Sequence, residues 1–387
     1  MRSDAKPKLS PLQEIPAGIA NLADFEAHGQ AAVAPEHWAY LNGGAGDEIT
    51  LRGNRSAWDA LQLQPRVLRD LAGGHTRSEL LGRTLAHPIL LAPIAYQRLA
   101  HADGELASAY AAAAQQAGMV LSAQSSMPME AIAQAFHDEP SSGPLWFQLY
   151  WRDDRDFMLQ LLRRVEAAGF QALVLTVDAP VHGARDRERR AGFALPADIR
   201  AVNLGGIKKP LNLQPGQSEL FDGLMPRAAT WAEIDWLRAH SHLPLLLKGA
   251  NHPEDAREAV ARGVAGLIVS NHGGRTLDTL PPTAALLPRV RAAVGPELPL
   301  LVDGGIRRGS DVLKALALGA DAVLLGRPYI HALATAGALG VARALRLLRD
   351  EFEIAMALCG CKTLDDIGPA QLWRAEADAG FTRSGGP

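Results

Sequence analysis

The stretch Ser270-Asn271-His272-Gly273-Gly274-Arg275-Thr276-Leu277-Asp278 follows an apolar run, Gly266-Leu267-Ile268-Val269. A run of that kind reads as a buried strand, and at its end it delivers a titratable imidazole and a fixed cation a few residues apart. The glycines between them remove the side chains that would keep a ligand off the backbone. A lone histidine is more often structural, bonded to a carbonyl. Asp178 closes another apolar run, and a carboxylate on one ring nitrogen would hold the tautomer that leaves the other free as a general base.

Other residues invite the same weighing. Arg275 and Arg185 could be solvated surface charges, as Arg187, Arg189 and Arg190 are read to be. Two arginines from different loops beside one histidine instead suggest a bidentate clamp on a substrate carboxylate, which guanidinium geometry suits better than ammonium. Lys248 ends the apolar run Pro244-Leu245-Leu246-Leu247, so its amine needs a counter-charge. It could form a Schiff base, pair with an internal carboxylate or stabilise an anionic cofactor. Asp303-Gly304-Gly305-Ile306-Arg307-Arg308-Gly309 and Leu325-Gly326-Arg327-Pro328 are either tight turns or, since each glycine comes with an arginine, phosphate loops. Taken alone, Tyr40 and Tyr150 are core or interface aromatics.

These residues must be carried by elements. Eight apolar runs are visible: Pro88 to Ala95, Met119 to Ala123, Leu145 to Tyr150, Ala172 to Val177, Leu245 to Lys248, Gly266 to Asn271, Leu300 to Asp303 and Ala322 to Gly326. Amphipathic patterns alternate with them at about 103–117, 128–137, 154–168, 230–240, 253–262, 283–293 and 309–318, with more helix after 328. Apolar strands alternating with helices predict a parallel sheet covered on its outer face, and eight units make an α/β chain of the (β/α)8 TIM barrel type over residues 87–360. Gln148, Tyr150, Thr176, Asp178, Lys248, Ser270, His272, Asp303, Gly326 and Arg327 all fall at or just past the ends of runs, the face on which such barrels carry active sites. A doubly wound sheet is the competitor, but no G-x-G-x-x-G follows the first run. Residues 1–86 read as a mostly helical segment of the same domain, and 361–387 as a tail. The connection of about fifty residues at 179–230 is long enough to be a lid over the active face, with disorder as the alternative.

Composition narrows the class. At 48% hydrophobic and 21% charged, with a formal charge of -3, the chain is globular, with no excess of basic residues for nucleic acid. Cys359 and Cys361 are too few and too close for a disulfide framework, and lack neighbours at zinc-site spacing, so no metal is expected. The polar start, with Lys6-Pro7-Lys8, is unlike a secretory signal, and Tyr329 to Leu348 is interrupted by His331, Arg343 and Arg346. The expectation is a cytoplasmic enzyme that binds no membrane.

S-N-H-G-G-R-x-L-D, followed by D-G-G-I-R-R-G and G-R-P, resembles the FMN-dependent 2-hydroxy acid oxidases and dehydrogenases, the group that includes glycolate oxidase, lactate oxidase and mandelate dehydrogenase. The likeness runs from about Tyr40 to the helix ending near Cys359. It implies His272 as the base with Asp178 as its partner, Arg185 and Arg275 on the substrate carboxylate, and Tyr40 and Tyr150 on the carboxylate or hydroxyl. It further implies Pro93, Ile94 and Ala95 beside the flavin N5 edge, with Ser122, Gln148 and Thr176 bonding the ring. Lys248 would lie near N1 and O2, Ser270 would help to hold the cofactor, Asp303 the ribityl chain, and Gly305, Arg307, Gly326 and Arg327 the phosphate. Departures fall on the substrate side. Gln124 stands where glycolate oxidase has tryptophan and lactate oxidase tyrosine, Tyr96 is bulkier than the expected alanine or methionine, and Val181 and His182 also differ; these four are the expected side-chain pocket. The resemblance implies oxidation of an L-2-hydroxy acid to the 2-keto acid and a homotetramer as the assembly; with nothing membrane-directed visible in the chain, O2 is the expected acceptor. The competing expectations are a quinone or other acceptor, an FMN-dependent isomerase and a Schiff-base barrel of the aldolase type.

Overall fold

The computed structural model of the chain describes residues 8–205 and 211–373. The first seven residues, residues 206–210 of the expected lid and residues 374–387 of the expected tail lie outside that description. Eight parallel strands close into a barrel: β3 (Ile89–Leu91), β4 (Gly118–Ser122), β5 (Leu145–Leu149), β6 (Leu173–Thr176), β7 (Leu245–Lys248), β8 (Gly266–Val269), β9 (Leu300–Val302) and β10 (Ala322–Leu325), with β10 pairing β3. Each follows a run seen in the sequence. The ladders are shorter than several of the runs because the chain turns away before the run's last residues: Asn271 already belongs to the turn in which His272 takes φ 57°.

The period of two along each strand explains both the core and the site. One set of alternate residues, including Leu90, Val120, Trp146, Val174, Leu246, Ile268, Leu301 and Leu324, fills the barrel interior. The other set, including Leu91, Leu121, Phe147, Leu175, Leu247, Val269, Val302 and Leu325, packs outward under the helices. Continuing the inward set by two residues gives Ser122, Gln148, Thr176, Lys248, Ser270 and Asp303 at the carboxyl end of the barrel, every one of them buried. The polar residues therefore share a register as well as an end.

The segment before the barrel is helical only in part. Helices α1 (Asp24–Ala32), α2 (Pro35–Asn42) and α3 (Ile49–Ala60) are followed by an antiparallel hairpin, β1 (Ser78–Leu80) and β2 (Arg83–Leu85), where continued helix was expected up to residue 86. Leu80 and Leu85 join the interior cluster; the hairpin thus seals the amino end of the barrel with apolar side chains, a tertiary demand that local pattern does not reveal. The segment is tied to the active face through Asp278. Its carboxylate accepts from the backbone N–H groups of Asp47 at 2.9 Å, Ile49 at 3.2 Å and Thr50 at 2.8 Å, satisfying donors that the start of α3 would leave open.

Helices α4 (Gly104–Ala114), α5 (Met129–His137), α6 (Arg155–Ala167), α8 (Trp231–His240), α9 (Pro253–Ala261), α10 (Thr283–Val294) and α11 (Gly309–Ala317) occupy the connections between strands. The last, α12 (Arg327–Cys359), is broken at Ala336 and Gly337, whose backbone is not helical. No described helix is long and apolar enough to cross a membrane. In the long connection after β6, the described residues contain α7 (Asp186–Arg190) and short turns at Glu219–Leu224 and Met225–Arg227. Asn203, fully buried, pins this connection: its amide accepts from Met129 N–H at 2.9 Å and donates to the Met127 carbonyl at 3.1 Å.

Candidate active site

Above the carboxyl ends of the strands lies a cavity of about 1160 Å³. All the site residues singled out from the sequence line it except Asp178 and Ser270, which reach it through His272 and Lys248. His272 Nδ1 lies 3.0 Å from Asp178 Oδ1, and its Nε2 is 3.5 Å from the Tyr150 hydroxyl. The imidazole is presented by an unusual backbone. His272, Gly273 and Gly274 have φ of 57°, 62° and 74°, and the His272 N–H donates to Ser270 Oγ at 3.0 Å. Burial lowers the His272 pKa, and Lys248 and Arg275 act in the same sense against the Asp178 carboxylate, which raises it. The result is an imidazole held neutral with one tautomer favoured, the condition for a general base.

The two arginines expected to form a clamp come together in the cavity wall. Arg275 lies 5.3 Å over the Tyr40 ring and donates to the Gly43 carbonyl at 2.7 Å. Arg185 donates from Nε to the Arg275 carbonyl at 3.4 Å and meets Glu188 at 3.5 Å. Loss of solvent and the charge of Arg185 bring the Arg275 pKa down to about 10, so the guanidinium stays charged at neutral pH. Burial pushes the Tyr40 and Tyr150 hydroxyls up to about 12 although both arginines pull them down, so both remain proton donors. Two like charges held together in partly dry surroundings favour an anion between them.

At the barrel mouth, Lys248 Nζ donates to Ser270 Oγ at 2.6 Å and pairs with Asp303 Oδ2 at 3.1 Å. Burial alone would lower the Lys248 pKa, but Asp303 and Asp178 outweigh it and the net shift is upward. Gln148 Nε2 donates to Thr176 Oγ1 at 3.0 Å, and Ser122 Oγ accepts from Gln124 N–H at 3.1 Å. Further along, Arg327 bridges the Gly273 carbonyl at 2.9 Å and the Gly43 carbonyl at 3.1 Å. Loss of solvent and the neighbouring Arg275 and Arg307 bring the Arg327 pKa down to about 9. Arg307 is brought to about 10, chiefly by burial.

This donor set fits FMN. Arg327 Nε and Asp303 Oδ1 are buried in the cavity wall without a hydrogen-bond partner, and a Cβ placed on Gly326 would meet only open space. Buried polar groups are nearly always paired, and a phosphate beside Arg307 and Arg327 with a hydroxylated chain beside Asp303 would supply the missing partners. The residues expected at the substrate side chain, Tyr96, Gln124, Val181 and His182, line the same cavity. Tyr96 holds φ 53°, and its N–H donates to the Gln124 carbonyl at 3.1 Å.

Three features escaped the sequence reading. The Gly43 carbonyl accepts from Arg275 and Arg327 together; the Gly43-Gly44 pair was visible only as a break. Phe193, from the long connection, stacks on Tyr40 at 4.5 Å between ring centroids. Gly249 leaves room for Asp178, since a Cβ there would lie 2.4 Å from the Asp178 Cβ.

Known proteins resemble this chain in sequence and fold. The chain is 49% identical over 362 residues, 93% of its length and 98% of the relative, to an L-lactate oxidase of Alicycliphilus denitrificans. It is 42% identical over 354 residues to glycolate oxidase 1 of Zea mays, covering 90% of this chain and 94% of that one. Among solved structures, mandelate oxidase with benzoyl-formic acid superposes with a TM-score of 0.82 at 43% identity, over 92% of this chain and 98% of that one. Residues 29–374 match the family described as FMN-dependent dehydrogenase, and the chain belongs to that family.

Proposed function

We infer that the protein is an FMN-dependent oxidase that converts an L-2-hydroxy acid to the 2-keto acid, with O2 as acceptor and hydrogen peroxide as the second product. The observation that carries this reading is the His272–Asp178 pair facing Tyr150 beside two charged arginines, in the cavity that also holds the Lys248–Asp303 pair. When bound, FMN supplies a two-electron acceptor that returns its electrons to O2. Gln148, Thr176 and Ser122 would meet its ring, Pro93, Ile94 and Ala95 its N5 edge, Ser270 and Asp303 would help to hold it, and Gly305, Arg307, Gly326 and Arg327 would hold its phosphate.

The chain's own residues have separable tasks. Arg185 and Arg275 hold the carboxylate in a fork, with Tyr40 packed beneath Arg275. His272 Nε2 takes the substrate proton, and the imidazolium so formed is stabilised by Asp178 on Nδ1. The Tyr150 hydroxyl, close to Nε2, orients the reacting oxygen. Lys248 would place its positive charge beside the flavin ring, where it would favour the reduced, anionic cofactor. The paired arginines disfavour an isomerase without a carboxylate substrate. A lysine held protonated by Asp303 and Ser270 disfavours Schiff-base chemistry, which needs the neutral amine. A cytoplasmic homotetramer belongs to the same proposal, with cell fractionation and light scattering as its checks.

The test is anaerobic mixing of the yellow protein with a panel of L- and D-2-hydroxy acids. The L-acids should bleach the flavin, and admitting O2 should restore it with formation of peroxide. His272→Gln should retain FMN and lose bleaching. Bleaching at the normal rate in that variant would remove His272 from its role, and failure of every L-acid to bleach the unaltered protein would overturn the function.

A further inference from the structure

Glu105 is fully buried near the start of α4, touches neither the base nor the arginines, and has no part in the chemistry above. Its carboxylate joins two loops. Oε1 accepts from Gln97 N–H at 3.0 Å and from Ser126 N–H at 2.9 Å, and Oε2 accepts from Ser126 Oγ at 2.7 Å. Gln97 directly follows Tyr96, and Ser126 comes two residues after Gln124. The loops after β3 and β4, which carry one wall of the cavity, are thus fastened to a single buried group.

The fastening is reinforced on both sides. Gln97 accepts from Ser108 Oγ at 2.6 Å and donates to the Tyr329 hydroxyl at 3.1 Å, which itself donates to the Ala92 carbonyl at 2.9 Å, just beyond β3. Arg98 N–H reaches Ser126 Oγ at 3.3 Å. Between these anchors Tyr96 holds a left-handed φ of 53°, which a bulky residue adopts only where its surroundings impose it. The wall formed by Tyr96 and Gln124 therefore takes its shape from a network behind it.

We propose that Glu105 is a positioning residue for substrate selectivity: its carboxylate locks the Tyr96 and Gln124 loops together and so sets the wall that meets the side chain of the 2-hydroxy acid. The proposal rests on the reading of the protein as a 2-hydroxy acid oxidase. Glycolate has no side chain and does not meet that wall, whereas (S)-mandelate does. Replacing Glu105 by leucine removes the acceptors of two buried N–H groups and frees the wall to yield. Glutamine keeps one oxygen for both N–H groups and offers an amide to Ser126 Oγ.

The experiment compares kcat and KM for glycolate and (S)-mandelate in the FMN-loaded protein, Glu105→Leu, Glu105→Gln and Ser126→Ala. In Glu105→Leu the ratio of kcat/KM for mandelate to that for glycolate should rise at least about fivefold, mostly through KM, within the discrimination that one apolar contact can carry. Glu105→Gln should stay within about twofold of the original ratio, and Ser126→Ala should move it in the same direction by a smaller factor. An unchanged ratio in Glu105→Leu and Ser126→Ala, a shift towards glycolate, or an equal fall for both acids would overturn the proposal. Flavin bleaching by L-acids in the unaltered protein separates such a failure from failure of the underlying function.

Discussion

Asp178→Asn tests the catalytic reading most sharply, because it changes one charge and almost no volume. Asp178 accepts at 3.0 Å from His272 Nδ1, and during turnover it would stabilise the protonated imidazole. A hydrogen bond to a charged partner contributes about 1.5–3 kcal/mol, and each 1.36 kcal/mol is about a factor of ten in rate, so kcat/KM should fall about 10- to 150-fold. The lower figure applies if the amide oxygen still faces Nδ1. The upper applies if the amide turns its NH2 inward and drives the proton onto Nε2. The pH profile adds a sign. His272 must be neutral in the free enzyme, so kcat/KM climbs as pH rises through its pKa. Asp178 raises that pKa, whereas burial, Lys248 and Arg275 lower it. With the carboxylate gone, the acidic limb moves to lower pH while the plateau drops. Anaerobic bleaching at limiting substrate, measured against pH at fixed ionic strength with FMN content checked by absorbance, reads both. A limb displaced to higher pH, or a plateau within about twofold of the original, would refute the pairing as the source of the base's strength.

Three other perturbations divide the remaining roles. Lys248→Met leaves Asp303 without its partner at 3.1 Å; it should cost about 3–5 kcal/mol in urea unfolding and slow bleaching about a hundredfold, and bleaching at the original rate would remove the lysine from the chemistry. Gly249→Ala puts a Cβ 2.4 Å from that of Asp178 at a φ of 98°, so it should lower kcat/KM about as Asp178→Asn does while FMN content is retained; an unaffected rate would show that Asp178 needs no such clearance. Arg327→Met should raise the FMN dissociation constant about 10- to 100-fold and leave riboflavin binding within about twofold, whereas equal losses for both flavins in a titration of the apoprotein would argue against phosphate contact.

What could be read from the chain, and what could not, divides along a physical line. Ser122, Gln148, Thr176, Lys248, Ser270 and Asp303 end apolar runs at the same parity as the inward residues Val120, Trp146, Val174, Leu246, Ile268 and Leu301. A side chain repeated in register with a strand leaves a trace in the sequence, so the barrel and the polar residues at the carboxyl ends of its strands were legible. Gly43 acts through a carbonyl, which every residue possesses, and its meeting with Arg275 and Arg327 depends on how α2 docks against loops more than 200 residues away. The hairpin at Ser78–Leu85 was missed for the same reason, since its place is set by the barrel end that it seals.

Glu105 is the extreme of that second class. In the sequence it is one acidic residue near the start of a helix, where carboxylates are common because the helix N-terminus favours them. Only the fold reveals that its oxygens serve Gln97 and Ser126, on the loops that bear Tyr96 and Gln124. The departures at Tyr96 and Gln124 were visible from the chain, but the backbone that aims them was not. A comparison of cavity-lining residues alone would therefore transfer the reaction between relatives more faithfully than the preferred acid. Much of the proposed cofactor site depends on side chains fixed by strand register, whereas the proposed preference depends on loops whose shape is set by a buried carboxylate behind them.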